Sequence, residues 1–204
     1  MAMIEIQNLT VMRAEKIIVN QFSVAIESGK ITAIVGPNGC GKSTLLSAIA
    51  GDLPIHGGSI TLNGSDLTSL SLQEQAEIRS VVTQSQNYWL AFTVREVIEM
   101  GQNSAALSRV DQVLDSLDIT DIADQSVITL SGGQMQRVEI ARALIRDSLI
   151  YLFDEPLAAQ DLASRARIIE IFKALKSAGK TIVVIAHIDS NELSWCDDVI
   201  EKLA

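Results

Sequence analysis

Apolar and polar positions change period several times along the chain, and each change marks an element. Ile4-Glu5-Ile6-Gln7-Asn8-Leu9 alternates, which predicts a strand with one buried face, read as an edge strand. Phe22-Ser23-Val24-Ala25-Ile26 alternates as well and ends at the turn Ser28-Gly29-Lys30. Ile31–Val35 is apolar throughout, as a strand buried on both faces requires. A helix is expected from about Lys42 through Leu45, Leu46 and Ile49 to Gly51. The turn Gly57-Gly58 precedes a short strand, Ser59–Leu62, and Asn63-Gly64 gives the next turn. Val81-Val82-Thr83-Gln84 reads as a strand ending in its glutamine. Strand-like runs return at Leu149–Phe153 and Thr181–Ala186. Between them Leu162, Ile168, Ile169, Phe172 and Leu175 recur at helical spacing. Strand, helix, strand is the pattern of a parallel sheet with right-handed crossovers. From 85 to 147 the pattern differs, with helical stretches near Val94–Met100 and Val110–Leu117 joined by polar segments. One α/β domain is expected over 1–204, its core drawn from 1–84 and 148–204, with a helical insertion at 85–147.

Composition narrows the class. The 204 residues are 48% hydrophobic, enough for one substantial core. No apolar run reaches the 18 or more residues of a membrane span, and no basic start with an apolar stretch and cleavage site occurs. A cytoplasmic protein is expected. The formal net charge of −9 argues against a broad nucleic-acid face, which needs basic surface. Cys40 and Cys196 lack metal-ligand spacing and fit a reducing compartment.

Gly36-Pro37-Asn38-Gly39-Cys40-Gly41-Lys42-Ser43 matches the phosphate-loop pattern, with a buried strand before it and a helix after it. Its glycines let backbone N–H groups curl around an anion, and the helix N-terminus adds unpaired donors. Lys42 is expected to reach the β- and γ-phosphates, Ser43 to ligate Mg²⁺, and Thr44 to support the phosphates. A chance match in a chain this long has a probability of about 1% before the context is required. Leu149-Ile150-Tyr151-Leu152-Phe153-Asp154-Glu155 is an apolar strand ending in two acids. Ligands of an open parallel sheet bind beyond the carboxyl ends of its strands, so both acids should arrive beside the phosphate loop. Hydrolysis needs a metal-directed oxygen and an orienter of the attacking water. Asp154 is assigned the first task and Glu155 the second.

Leu130-Ser131-Gly132-Gly133-Gln134 begins 94 positions after Gly36. Its chance probability is on the order of 10⁻⁴. Ser131 is a good helix cap, and two glycines expose donors ahead of a helix from about Gly133 to Ile145. This is a second anion site without a lysine-bearing phosphate loop of its own. The phosphate loop, the paired acids and this motif together resemble the ATP-binding-cassette (ABC) ATPases, the motor subunits of ABC transporters, over nearly the whole chain. The resemblance implies a P-loop NTPase core with a parallel-rich sheet, an antiparallel β subdomain and a small α-helical subdomain. It implies ATP and Mg²⁺ as cofactors, and a second copy of the chain arranged head to tail. Ser131, Gly132, Gly133 and Gln134 would then contact the γ-phosphate held by the partner. Gln84 falls where the family has its Mg²⁺-sensing glutamine, Asp161 at the dimer-facing aspartate, and His187 at the switch histidine. The further partners implied are a membrane permease and, through it, a solute-binding protein, with the chain on the cytoplasmic face of the membrane and no nucleic acid.

Several positions depart from that pattern. Arg13 stands where the family usually has an adenine-stacking aromatic; its guanidinium plane can stack on a base. In Pro156-Leu157-Ala158-Ala159-Gln160-Asp161, Ala158 replaces a hydroxyl and Gln160 an apolar residue. Only 45 residues separate Gln84 from Leu130, too few for the long coiled coil of DNA-repair relatives. A single cassette also differs from the paired cassettes of ribosome-acting ones, and no C-terminal regulatory domain is expected. A plain P-loop kinase or GTPase would leave residues 130–134 unexplained. Phe92–Gly101 resembles the corresponding stretch in ATPases that drive uptake of iron chelates, haem, cobalamin or metal ions. An exporter motor remains the alternative. Tyr88, Trp89 and Phe92 are expected to line the groove that receives the permease.

Overall fold

The computed structural model describes residues 2–84, 88, 90–186 and 193–201. The chain opens with β1 (Ala2–Arg13), β2 (Lys16–Glu27), β3 (Ile31–Ile34), α1 (Lys42–Ile49), β4 (Gly57–Leu62), β5 (Ser65–Asp66), α2 (Leu72–Ile78) and β6 (Arg79–Val82). Four helices follow: α3 (Val94–Glu99), α4 (Ser104–Leu107), α5 (Val110–Ser116) and α6 (Gly132–Leu144). β7 (Ile150–Asp154), α7 (Leu162–Ser177), β8 (Thr181–Ile185) and β9 (Asp198–Ile200) come after them.

Two sheets form. The first is antiparallel with the order β2-β1-β4-β5, and the second is parallel with the order β6-β7-β8-β3-β9. The opening strand is therefore interior, paired with β2 on one side and β4 on the other, and not the edge strand expected. Alternation reports one buried face and says nothing about how many neighbours a strand has. Ile4, Ile6, Leu9 and Val11 all face the core although the spacing slips by one between Ile6 and Leu9. A bulge absorbs the slip: the pairing register shifts there, and Asn8 takes a left-handed φ of 47°.

The interior strand β7 is buried along its whole length. Ile150 and Leu152 join the cluster that includes α1 and the antiparallel sheet, while Tyr151 and Phe153 join the one containing α6 and α7. Phe153 packs against Phe172 of α7 at a centroid distance of 4.7 Å, the rings tilted by 32°. A parallel strand covered on both sides must be apolar on both sides, which is why this run reads without alternation. In α7, Ile168 and Phe172 are buried, but Leu162 is 84% exposed. Leu162 is the first residue of its helix, and its helical spacing does not place it in the core.

Helix starts were the most readable boundaries. Ser71 with Glu74, Thr93 with Glu96 and Ser131 with Gln134 each form a reciprocal capping box. The first of these marks α2, an element the hydrophobic pattern did not reveal. The strand expected to end at Gln84 stops at Val82, and β9 is a short addition of three half-open residues.

Candidate nucleotide-binding and hydrolysis site

Parallel pairing puts the carboxyl ends of β3, β6 and β7 along one edge of the sheet. The loop after β3 carries Gly36–Ser43, the residues after β6 carry Gln84, and β7 ends in Asp154 and leads to Glu155. A cleft of about 560 Å³ opens there, lined by Ile18, Asn38, Gly39, Gly41, Lys42, Ser43, Thr44, Gln84 and Glu155. Residues that lie far apart in sequence are thus gathered at one place, as expected for the topology.

Lys42 is 5% exposed and donates from Nζ to the carbonyls of Gly36 (2.8 Å) and Pro37 (3.1 Å). The loop therefore wraps its own cation. Gly41 caps α1 with φ 103° and no side-chain hydrogen bond, unlike the side-chain caps of α2, α3, α6 and α7. That leaves the first N–H groups of α1 available to an anion, with the helix dipole behind them. A Cβ at Gly41 would fall 3.1 Å from Cγ2 of Ile18, because β2 crosses closely at this point. The crossing is what brings Ile18 into the cleft. Sequence reasoning missed this residue, since no motif marks it. Arg13 is exposed at the end of β1 and is not among the lining residues; Ile18 supplies an apolar surface there instead.

Asp154 is 5% exposed at the end of β7. Glu155 adopts φ 53°, a left-handed backbone that non-glycine residues adopt at a cost of roughly 1–2 kcal/mol. Its N–H donates to the Ile185 carbonyl at 3.1 Å, and its carboxylate accepts from Gln84 Nε2 at 2.9 Å. The strained turn places the carboxylate in the cleft. His187 lies outside the described residues.

The loop at 130–134 stands elsewhere. Ser131 caps α6, its Oγ accepting from the Gln134 N–H at 3.3 Å while Gln134 Oε1 accepts from the Ser131 N–H at 2.9 Å. Ser131 and Gly132 are exposed, and none of 130–134 is among the residues lining the cleft. Asp161 caps α7 by accepting from the Ser164 N–H at 2.7 Å, a bond that holds its carboxyl below the ordinary range.

Of the aromatics after Gln84, Tyr88 and Phe92 pack against the core beside the helical insertion, and Trp89 lies outside the described residues. The Tyr88 hydroxyl donates to Glu139 Oε1 on α6 at 2.5 Å, and burial together with that bond pushes its pKa up to about 12. Glu139 is 5% exposed. Burial raises its pKa above the ordinary 4.5, against the opposing pull of the Tyr88 bond and Arg142. Its protonated form thus favours the fold: that contribution is complete below the unfolded-state value and is lost as pH rises through the raised one. Glu139→Gln keeps an acceptor for Tyr88 and carries no charge. It is expected to melt about 1–3 °C above the unmodified protein at neutral pH, with the gap closing as pH falls toward 4.5. Thermal melts across that range measure it; an unchanging gap would exclude titration of Glu139 as the cause.

Comparison with known proteins agrees with this architecture. The ABC transporter family model matches residues 19–158. The chain is 38% identical to the hemin import ATP-binding protein HmuV of Chelativorans sp. over 197 residues, covering 91% of this chain and 76% of that protein. It is 36% identical to the manganese transport system ATP-binding protein MntB of Listeria monocytogenes, covering 96% of this chain and 85% of that one. A solved ATP-binding cassette, dimeric in a post-hydrolysis state with ADP and phosphate bound, superposes with a TM-score of 0.86 at 27% identity, covering 98% of this chain and 94% of that one. The chain belongs to the ABC transporter ATP-binding family. It is an ATP-binding, ATP-hydrolysing transporter subunit with the ABC ATPase fold.

Proposed function

We propose that the protein is the motor of an ABC importer for a metal ion or metal chelate such as haem, working as a head-to-tail homodimer on the cytoplasmic face of a membrane permease. The observation that carries the dimer is the separation of the two anion-binding loops. The phosphate loop lines the cleft, while the exposed donors of Ser131 and Gly132 lie outside its lining, available to a nucleotide on another copy. The import direction and cargo class rest on the similarity to hemin and manganese import ATPases.

Each residue then has a task. The N–H groups of Gly36–Ser43 and the Lys42 ammonium hold the β- and γ-phosphates, and Thr44 supports them. Ile18 offers an apolar contact to the base, and Arg13 at most a peripheral one. Glu155 orients the attacking water in line with the γ-phosphate, and the amide of Gln84 holds its carboxylate. Ser43, Gln84 and Asp154 present oxygen donors beside the cleft, a hard set that suits Mg²⁺ completed by phosphate oxygens. Bound there, Mg²⁺ would neutralise charge on the phosphates. His187 and the partner's residues 131–134 contact the γ-phosphate, and Asp161 faces the dimer seam. Residues 85–147 form the helical subdomain, with 1–84 and 148–204 as the core.

Among the described residues no helix is long and apolar enough to cross a membrane. Purification of the tagged protein from its native host in mild detergent tests the reading. A co-purifying polytopic membrane protein is expected, with a solute-binding protein marking import. Recovery of only ribosomal or nucleic-acid-associated partners would overturn it. Trp89→Ala is expected to weaken that association and leave ATP binding intact; loss of fold would remove the docking role.

A further inference from the structure

The loop from Glu155 to Asp161 is joined to the start of α6 at several points. Gln160, 8% exposed, donates from Nε2 to the Gly133 carbonyl at 3.0 Å. The backbones are in close contact beside it, because a Cβ at Gly133 would fall 2.8 Å from the Ala159 carbonyl oxygen. Farther along α6, Arg137 Nη1 donates to Ser164 Oγ at 2.7 Å, and the Ser164 N–H is held by Asp161. The same loop begins at Glu155, whose carboxylate is bonded to Gln84. A side chain of similar size without an amide would fill the same volume but would leave Gly133 without this donor. The bond therefore fixes a position as well as filling space.

We propose that Gln160 is a positioning residue: through Gly133 it holds the Ser131–Gln134 loop in register with the loop carrying Glu155, and so links the two nucleotide sites of the dimer within each chain. The proposal rests on the head-to-tail reading above. Each chain carries Glu155 for its own nucleotide and Ser131 and Gly132 for its partner's. Movement of the 155–161 segment as the γ-phosphate leaves is passed by Gln160 to the first turn of α6, and from there to the donors facing the other nucleotide. A rigid tie of this kind makes the sites cooperative, because one cannot open without disturbing the other's contacts.

Gln160→Met retains length and bulk and loses the donor. In the full chain it is expected to bind ATP within about twofold of the unmodified protein, because no residue lining the cleft changes. The Hill coefficient for ATP hydrolysis should fall toward one. In a Glu155→Gln background, ATP-driven dimerisation should weaken about fivefold, the loss of one net hydrogen bond. Gln160→Glu places an acceptor against the Gly133 carbonyl at neutral pH and a donor once protonated, so its cooperativity should recover on acidification while that of Gln160→Met does not. Unchanged cooperativity and dimerisation in Gln160→Met would overturn the proposal, as would a parallel loss of ATP binding, which marks a merely structural role. If Gln160→Met does not fold, the pH response of Gln160→Glu decides alone, and a flat response overturns the proposal. Failure of Glu155→Gln with Gln160 intact to dimerise on ATP would refute the dimer reading itself.

Discussion

Glu155→Gln is expected to lower steady-state ATP turnover by about 10²–10⁴-fold while leaving nucleotide affinity within about a factor of two. The substitution keeps the shape of the side chain and its contact with Gln84, which bonds the carboxylate at 2.9 Å. It removes the charge that orients and polarises the attacking water. Phosphate binding depends on the loop at Gly36–Ser43 and on Lys42, which lie on the other strand connection, so ATP should still bind. With binding intact and hydrolysis blocked, the ATP-bound dimer should accumulate. Turnover assays together with light scattering, with and without Mg-ATP, measure both halves of this expectation. Normal turnover would remove Glu155 from its assigned role.

Lys42→Ala is expected to weaken ATP binding by about 10–100-fold, the value of one or two hydrogen bonds from a charged donor. The ammonium sits 2.8 Å from the Gly36 carbonyl, inside the loop that would enclose the phosphates. Lys42 is a buried residue of α1, so the alanine variant loses the charge and some packing, and a modest drop in melting temperature should accompany the loss. Calorimetric titration with ATP distinguishes the two effects. Unchanged affinity would mean that the cleft is not the nucleotide site.

The site was legible wherever chemistry imposes a contiguous motif. The phosphate loop, the acids after β7 and the 130–134 loop all occupy the structural positions their sequence context required: after a buried strand, at a strand's end and at a helix start. Capping boxes are equally local, and Ser71 with Glu74 marks the start of α2. Contacts between distant segments were not legible. Ile18 enters the cleft only because β2 crosses at Gly41, and Arg13, aligned by sequence to an adenine-stacking role, lies outside the lining residues. Leu162 has the spacing of a core residue and points into solvent, since period reports a face and not what covers it.

By itself the sequence determined most of the elements and the contiguous motifs. Period, capping and glycine placement act over a few residues, and a phosphate loop needs its residues in one short run. Tertiary structure alone decided the neighbours. The interior place of β1, the gathering of Gln84 with Glu155 and the tie between Gln160 and Gly133 each join residues well separated along the chain. Such pairings arise from strand order and from close packing between layers, which hydrophobic pattern and local propensity do not encode.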